Sequence, residues 1–261
     1  MLANAEASRR GVRTDAAAVS FSTGDNTNTW ETYCMATYLI CHGAWSGGWS
    51  WQKMRPLLRA ADNEVLTPTY TGLGERAHLA HPMIDLETHI QDILAVIEYD
   101  DLSDVILVGH SYGGMVATGV GDRVPQRVRH LVYLDAFVPT DGQSLNDLAG
   151  EAQRPAPVEG WLIPPNPPAS DTSPDDLAWT TPRRRHHPAG CFRQKLRLVH
   201  PVPPFRRSYI HCTKKTGPDV FQQFADRFRG DPAWLFHAMD ASHSPNFTAP
   251  QDLARLLLAV A

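Results

Sequence analysis

The stretch that decides the fold is residues 107–114, which read Leu107-Val108-Gly109-His110-Ser111-Tyr112-Gly113-Gly114. An apolar run, beginning at Val105, leads directly into the pattern Gly-x-Ser-x-Gly, and a helix-compatible segment follows. This order of strand, tight turn and helix holds a serine in a strained turn, with its hydroxyl clear of the sheet. The two glycines let neighbouring backbone pass close to that serine. Alone, the pattern is as often an ordinary turn as a nucleophile, so Ser111 is a candidate whose role depends on its context.

A second glycine-rich loop lies upstream, at residues 42–49, which read HGAWSGGW and follow the apolar run 38–41. A serine that transfers an acyl group needs main-chain N–H donors near the oxygen that becomes negative. We expect one donor to be the N–H of Tyr112, which follows the nucleophile, and the other to be that of Ala44. The alternative interpretation of this loop is a strand-to-helix turn that is merely rich in glycine.

A histidine near the end of the chain completes the candidate constellation. His243 lies in the segment 240–245, DASHSP, after the strand-like residues 234–239 and before a C-terminal helix. A histidine in a loop is more often solvated surface than a base. Its position one strand and one loop before the last helix, in a chain that also has the serine turn, favours a base. We therefore predict that His243 takes the Ser111 proton and returns it to the leaving group.

Length and composition indicate one soluble α/β domain. The chain has 261 residues, is 43% hydrophobic and 20% charged, and carries a net charge of −4. This charge gives no reason to expect nucleic acid or an anionic membrane as a partner. No apolar run approaches the length of a membrane span. The four cysteines have no Cys-x-x-Cys spacing, and Cys41 and Cys212 lie within predicted core strands. We therefore expect a cytoplasmic protein without disulfides.

The chain divides into two predicted parts. Residues 1–34 are rich in small and polar residues and are predicted to be a disordered N-terminal extension. The domain, residues 35–261, alternates strands with helices, which predicts a doubly wound, mostly parallel sheet. Ligands of such sheets bind outside the carboxyl ends of the strands, where the Ala44, Ser111 and His243 loops all fall. The predicted helices cover residues 50–61, 86–97, 115–120, 218–228 and 250–261.

The quoted motifs resemble the esterase and hydroxynitrile-lyase branch of the α/β-hydrolase superfamily, over residues 36–261. The resemblance rests on residues 42–49, 108–114 and 131–139, the last reading LVYLDAFVP. It implies an α/β-hydrolase fold, no cofactor and no metal. Members with lyase activity have threonine where this chain has Gly43, and a lysine directly after the histidine, where it has Ser244. Both differences favour an esterase.

The same resemblance implies a cap inserted over the site at about residues 140–206. Twelve of the 21 prolines lie there, so this segment contains no core strand or long helix. The alternative interpretation of this segment is an irregular surface loop that does not cover the site. Aromatic residues of the loops and the cap are predicted to wall a substrate pocket: Trp45, Trp49, Phe137, Trp161 and Trp179.

The acid that orients the histidine is the open question. In the family it lies within a few residues of Thr213, but here those positions hold Lys214 and Lys215, which cannot accept a hydrogen bond. Two carboxylates remain. Asp135 ends the strand after the serine helix, and Asp219 lies further along the loop that the family uses. We favour Asp135 because it needs no rearrangement of a loop, and the absence of any acid is the third possibility.

The sequence thus predicts a serine carboxylesterase, monomeric or homodimeric, that hydrolyses a small, largely apolar ester through an acyl-enzyme. Two alternatives are a hydroxynitrile lyase or carbon–carbon bond hydrolase on the same fold, and a non-catalytic protein that binds a small molecule. The lysines at the usual place of the acid keep the second alternative open.

Overall fold

A computed structural model describes residues 35–150, 156–168, 171–200 and 203–260. The predicted extension at residues 1–34 lies outside these ranges. In chain order the strands are β1 (Thr37–Cys41), β2 (Glu64–Leu66), β3 (Val105–His110), β4 (Val128–Leu134), β5 (Leu162–Ile163), β6 (His187–Pro188), β7 (Arg206–Cys212) and β8 (Leu235–Met239). The α-helices are α1 (Met54–Arg59), α2 (Leu86–Tyr99), α3 (Gly113–Arg123), α4 (Leu145–Ala149), α5 (Pro174–Thr180), α6 (Gly190–Arg193), α7 (Gln222–Phe228), α8 (Pro245–Thr248) and α9 (Pro250–Ala259).

Six strands form one sheet in the order β2-β1-β3-β4-β7-β8, and every neighbouring pair is parallel. Helices cover both faces of such a sheet, so its central strands are apolar on both sides, and β3 is buried at each of its six residues. The chain runs outward from β1 to β2 and then returns to β3 on the other side of β1. The carboxyl ends of β1 and β3 therefore form the point where ligands of doubly wound sheets bind. The predicted fold class is confirmed.

The helices enclose an apolar core on each face of the sheet. The core of one face includes buried residues of α2 and α3: Ile90, Ile93, Met115 and Val120. The core of the other face includes buried residues of α1 and α9: Met54, Leu58, Leu253 and Leu257. Helix α2 buries one stripe of residues at helical spacing, as predicted. Asp85 caps the N-terminus of this helix, because its carboxylate accepts the N–H of Thr88.

Two predicted helices are shorter than expected. The helix predicted at 50–61 divides into a 3-10 turn, Gly48–Trp51, and helix α1. The helix predicted at 218–228 begins only at Gln222, because the Asp219 carboxylate accepts the N–H of Phe221 and holds a turn there.

The described part of residues 140–206 consists of short elements, as its prolines predicted. Helices α4, α5 and α6 span four to seven residues, and β5 pairs with β6 in a two-stranded antiparallel sheet. Several side chains from this segment are buried in the same core as α2 and α3: Ile163, Cys191, Phe192 and Leu196. The segment is therefore attached to the domain by apolar packing.

Cys41, Cys191 and Cys212 are buried free thiols, which confirms the prediction that Cys41 and Cys212 occupy core positions. Across the described ranges, no helix combines the length and hydropathy that a membrane crossing needs. The cytoplasmic location and the oligomeric state stay predictions.

Candidate active site

Ser111 occupies a strained turn between β3 and α3. Its φ is 55°, in the left-handed region that side chains other than glycine rarely adopt. Main-chain hydrogen bonds hold it there: its N–H donates to the carbonyl of Leu134, and its own carbonyl accepts the N–H of Phe137. A Cβ on Gly113 would lie 1.9 Å from the carbonyl oxygen of Cys41, so only glycine fits where α3 crosses the end of β1. The sequence pattern thus forms the predicted strained turn between a strand and a helix.

The structure brings Ser111, His243 and Asp135 together. Nε2 of His243 lies 2.9 Å from Oγ of Ser111, and Nδ1 of His243 lies 2.6 Å from Oδ2 of Asp135. Asp135 is fully buried at the end of β4, and its Oδ1 accepts the N–H of Cys212 at 3.2 Å. Hydroxyl, imidazole and carboxylate are therefore aligned as proton transfer from a serine requires.

Two aromatic neighbours hold His243 in this orientation. The Phe221 ring stacks on its imidazole, with centroids 4.8 Å apart and an interplanar angle of 13°. Nε2 of His110 lies 2.7 Å from the carbonyl oxygen of His243. Neither neighbour was predicted from the sequence. The position of His110 directly before Ser111 could have indicated a contact with the site, whereas nothing in the local sequence indicates that Phe221 contacts His243.

Asp219, the alternative acid, contacts a different histidine. Its Oδ2 lies 2.8 Å from Nε2 of His211, and its Oδ1 accepts the N–H of Phe221. It thus closes the turn before α7, while Asp135 contacts His243.

The pKa values of the site follow from burial and from these contacts. Burial raises the pKa of Asp135, but the hydrogen bond and charge of His243 and the ammonium of Lys215 outweigh this effect and hold it below its usual value. Asp135 is therefore ionised. Burial lowers the pKa of His110 to about 3, so the second imidazole beside the site is neutral.

The two candidate oxyanion donors, Ala44 and Tyr112, line the same cavity as Ser111. Within the described ranges, the N–H groups of Ala44 and Tyr112 donate no hydrogen bond to a protein acceptor. The next N–H, that of Trp45, donates to Nδ1 of His187, and the Trp45 indole donates to the carbonyl of Ile163. Trp45 also has a positive φ of 58°. The loop that contains Ala44 and Trp45 is thus anchored to the cap segment. An oxyanion hole requires N–H groups that are free of protein acceptors, and within the described ranges those of Ala44 and Tyr112 meet this condition.

A cavity of about 660 Å³ opens onto Ser111 and His243. Three of the predicted wall residues, Trp45, Trp49 and Phe137, line it. The same prediction for Trp161 and Trp179 is corrected. The Trp179 ring packs edge-on against Trp49, with centroids 5.2 Å apart, and so supports the wall from outside. The backbone of Trp161 bonds to Val158 and Ala189 within the cap segment. Lining residues that the sequence analysis did not identify include Leu145, Asn166, Pro167, Thr180 and Arg184.

One group of potential metal ligands is buried behind Tyr112. Donor atoms of His89, His187 and Cys191 lie within 4.8 Å of one another. Both ring nitrogens of His89 already have partners, the Tyr112 hydroxyl at 2.9 Å and the carbonyl oxygen of Thr71 at 3.0 Å. These contacts satisfy the histidine, and we assign the group a packing role.

Comparison with known proteins agrees with this geometry. Residues 38–256 match the model of the alpha/beta hydrolase family. The chain is 37% identical to the carbendazim hydrolyzing esterase of Nocardioides sp. (strain SG-4G), over 87% of this chain and 100% of that protein. It is 29% identical to salicylic acid-binding protein 2 of Nicotiana tabacum, over 86% and 96%. An extracellular alpha/beta-hydrolase from a Paenibacillus species has a similar structure, with a TM-score of 0.72 and 26% identity over 86% and 98%.

The chain therefore belongs to the alpha/beta hydrolase family. It is an enzyme of the hydrolase class.

Proposed function

We propose that this enzyme is a serine carboxylesterase in which Ser111, His243 and Asp135 form the catalytic triad. The contact between the Ser111 hydroxyl and the His243 imidazole, at 2.9 Å, carries this proposal. The esterase named among the relatives supports it.

The reaction has two halves with balanced proton transfers. Oγ of Ser111 attacks the ester carbonyl carbon while its proton passes to Nε2 of His243. The N–H groups of Ala44 and Tyr112 stabilise the oxyanion, which collapses as the alcohol leaves with the proton from Nε2. Water then attacks the acyl-enzyme, gives its proton to Nε2, and releases the acid as the proton returns to Ser111. Asp135 keeps the proton on Nδ1 and stabilises the imidazolium.

The substrate is a small, largely apolar ester. Pockets of roughly 300–1,000 Å³ accept small organic molecules, and this cavity has about 660 Å³. Its apolar wall, formed by Trp45, Phe137 and Phe192 among others, favours an uncharged aromatic or aliphatic group.

Replacement of Ser111 by alanine tests the proposal. With p-nitrophenyl acetate and butyrate as substrates, Ser111→Ala should lose the burst and at least about 10³-fold in kcat, and should no longer react with a fluorophosphonate label. Ser103→Ala, at an exposed serine before β3, is the matched control and should keep both.

Two results would contradict the proposal. Turnover and labelling that persist in Ser111→Ala would remove this serine from the mechanism. Tight binding of a small ester by the unaltered chain, with no labelling and no turnover, would favour a binding protein instead.

A further inference from the structure

A cation lies on the carboxylate of the proposed triad. Nζ of Lys215 contacts Oδ2 of Asp135, the same oxygen that faces Nδ1 of His243. The Lys215 side chain is only 17% exposed and Asp135 is not exposed at all, so solvent screens this contact weakly. A serine, histidine and aspartate triad needs no such cation.

Lys215 is held in place by its surroundings. Its ammonium lies over the Phe221 ring, 5.1 Å from the centroid, and the His243 imidazole stacks on the same ring. A second carboxylate, Asp219, has Oδ1 3.7 Å from Nζ. The adjacent Lys214 pairs instead with Asp240 at the surface, where the two side chains are 56% and 79% exposed. Only one of the two consecutive lysines thus reaches the triad.

The charges around the triad identify Lys215 as its permanent cation. Ionisable side chains near the triad come from β3, from β7 and from the loop after β7. Those of His110, Tyr209 and Cys212 interact electrostatically with Asp135, and burial keeps the last two neutral by raising their pKa. Lys215 contacts Asp135 directly, and Asp219 lies 3.7 Å from Lys215. His110 is neutral because burial lowers its pKa to about 3. His211 is paired with Asp219. Among the residues that the structure describes here, Lys215 therefore supplies the positive charge that opposes a protonated His243.

We propose that Lys215 is a positioning residue whose charge partly neutralises Asp135 and thereby keeps His243 in its basic form at lower pH. In a triad without this lysine, the full negative charge of the aspartate stabilises the imidazolium, which cannot accept the Ser111 proton. An ammonium on the same oxygen opposes that stabilisation by direct repulsion. The inference depends on the proposed function, since it concerns how His243 acts as the base.

The pH dependence of Ser111 acylation tests this role directly. We would measure the second-order rate of fluorophosphonate labelling, and kcat/KM for p-nitrophenyl butyrate, across the acid side of the pH profile. Lys215→Met should move the midpoint of the acid limb upward by roughly one pH unit, the size expected for the loss of one nearby charge. Lys215→Gln, which keeps a hydrogen-bond donor without the charge, should move it similarly.

Two variants serve as controls. Lys215→Arg keeps the charge and should leave the midpoint near that of the unaltered enzyme. Lys214→Met removes the neighbouring lysine, which does not touch Asp135, and should also leave the midpoint in place. The melting temperature of each variant shows whether it is folded, and Lys215→Gln provides the test if Lys215→Met does not fold.

The outcomes separate this inference from the proposed function. If the uncharged variants lose thermal stability while the midpoint stays in place, Lys215 is only a structural ion pair and the inference is wrong. If Lys215→Arg shifts as far as Lys215→Gln, geometry rather than charge is responsible, which also overturns it. An unaltered enzyme that is not labelled at any pH would instead refute the proposed function itself.

Discussion

The carboxylate of Asp135 meets the imidazole of His243 across 108 residues of sequence, with Oδ2 2.6 Å from Nδ1. Asp135 reaches this position directly from the end of β4, where it has a φ of 43° and donates its N–H to the carbonyl of Ile210. The carboxylate that contacts His243 therefore comes from the end of the strand after α3, and the loop after β7 contributes Lys215 instead.

Replacement of the two candidate acids should have very different effects. We expect Asp135→Asn to lower kcat by about 10³–10⁴-fold, because the amide no longer keeps the His243 proton on Nδ1. Asp219→Asn should lower kcat by less than about tenfold, because Asp219 contacts His211. Steady-state hydrolysis of p-nitrophenyl butyrate measures both. The reverse order of effects would assign the acid to Asp219.

The position of Gly43 should limit the size of a side chain beside Ser111. A Cβ there would lie 3.2 Å from Nδ1 of His110 and 3.3 Å from Cβ of Ser111, closer than ordinary contact. We expect Gly43→Thr to lower kcat/KM roughly tenfold or more, because overpacking of about 1–3 kcal/mol displaces the turn that holds Ser111. Gly43→Ala should have a smaller effect. Equal kcat/KM for Gly43→Thr and the unaltered enzyme would show that the loop moves without loss.

The close crossing of α3 over β1 should make Gly113 indispensable for stability. A Cβ there would lie 1.9 Å from a main-chain oxygen, which cannot move without breaking the sheet. We expect Gly113→Ala to lower the free energy of unfolding by more than about 3 kcal/mol, measured by urea denaturation. Gly217→Ala is the control, since its Cβ would meet nothing within 4 Å, and its effect should stay within about 0.5 kcal/mol. Similar stability of the two variants would contradict this prediction.

Acid should destabilise the fold through its buried histidines. Burial lowers the pKa of His42 and His110 to about 3 and that of His89 to about 4. The unfolded chain, with a histidine pKa of about 6.5, binds protons that the folded chain excludes between these values. The free energy of unfolding should therefore be highest above pH 6.5 and fall by roughly 1.4 kcal/mol per pH unit for each histidine on acidification toward pH 4.

Urea denaturation at pH 7, 6 and 5 measures this slope. His110→Gln should reduce it by about a fifth to a quarter, because burial also lowers the pKa of His130 and His187, so one of five such histidines is removed. The exposed His81 is the matched control, and His81→Gln should leave the slope in place. Constant stability from pH 7 to pH 5 would show that the buried histidines do not dominate the acid response.

The helices and strands were largely predictable because their signals are local. The stripe of α2 repeats at helical spacing, and the apolar run of β3 ends in a pattern that has few structural interpretations. The pocket was less predictable. Trp161 and Trp179 lie in the predicted cap yet stay outside the cavity, because residues 140–206 lack periodicity and so do not indicate which side chains point inward. Phe221 was missed because nothing in its local sequence indicates a contact with His243, which is distant in the chain.

By itself, the sequence determined the doubly wound sheet and the order of its loops, and it identified Ser111 and His243 as the pair to be united, because periodicity and glycine patterns act over short stretches of chain. Only the tertiary structure decided that Asp135 rather than Asp219 contacts His243, and that Lys215 shares that carboxylate. Such choices depend on which strand ends adjoin in the sheet and on differences of an ångström between side chains distant in sequence, which no local pattern encodes.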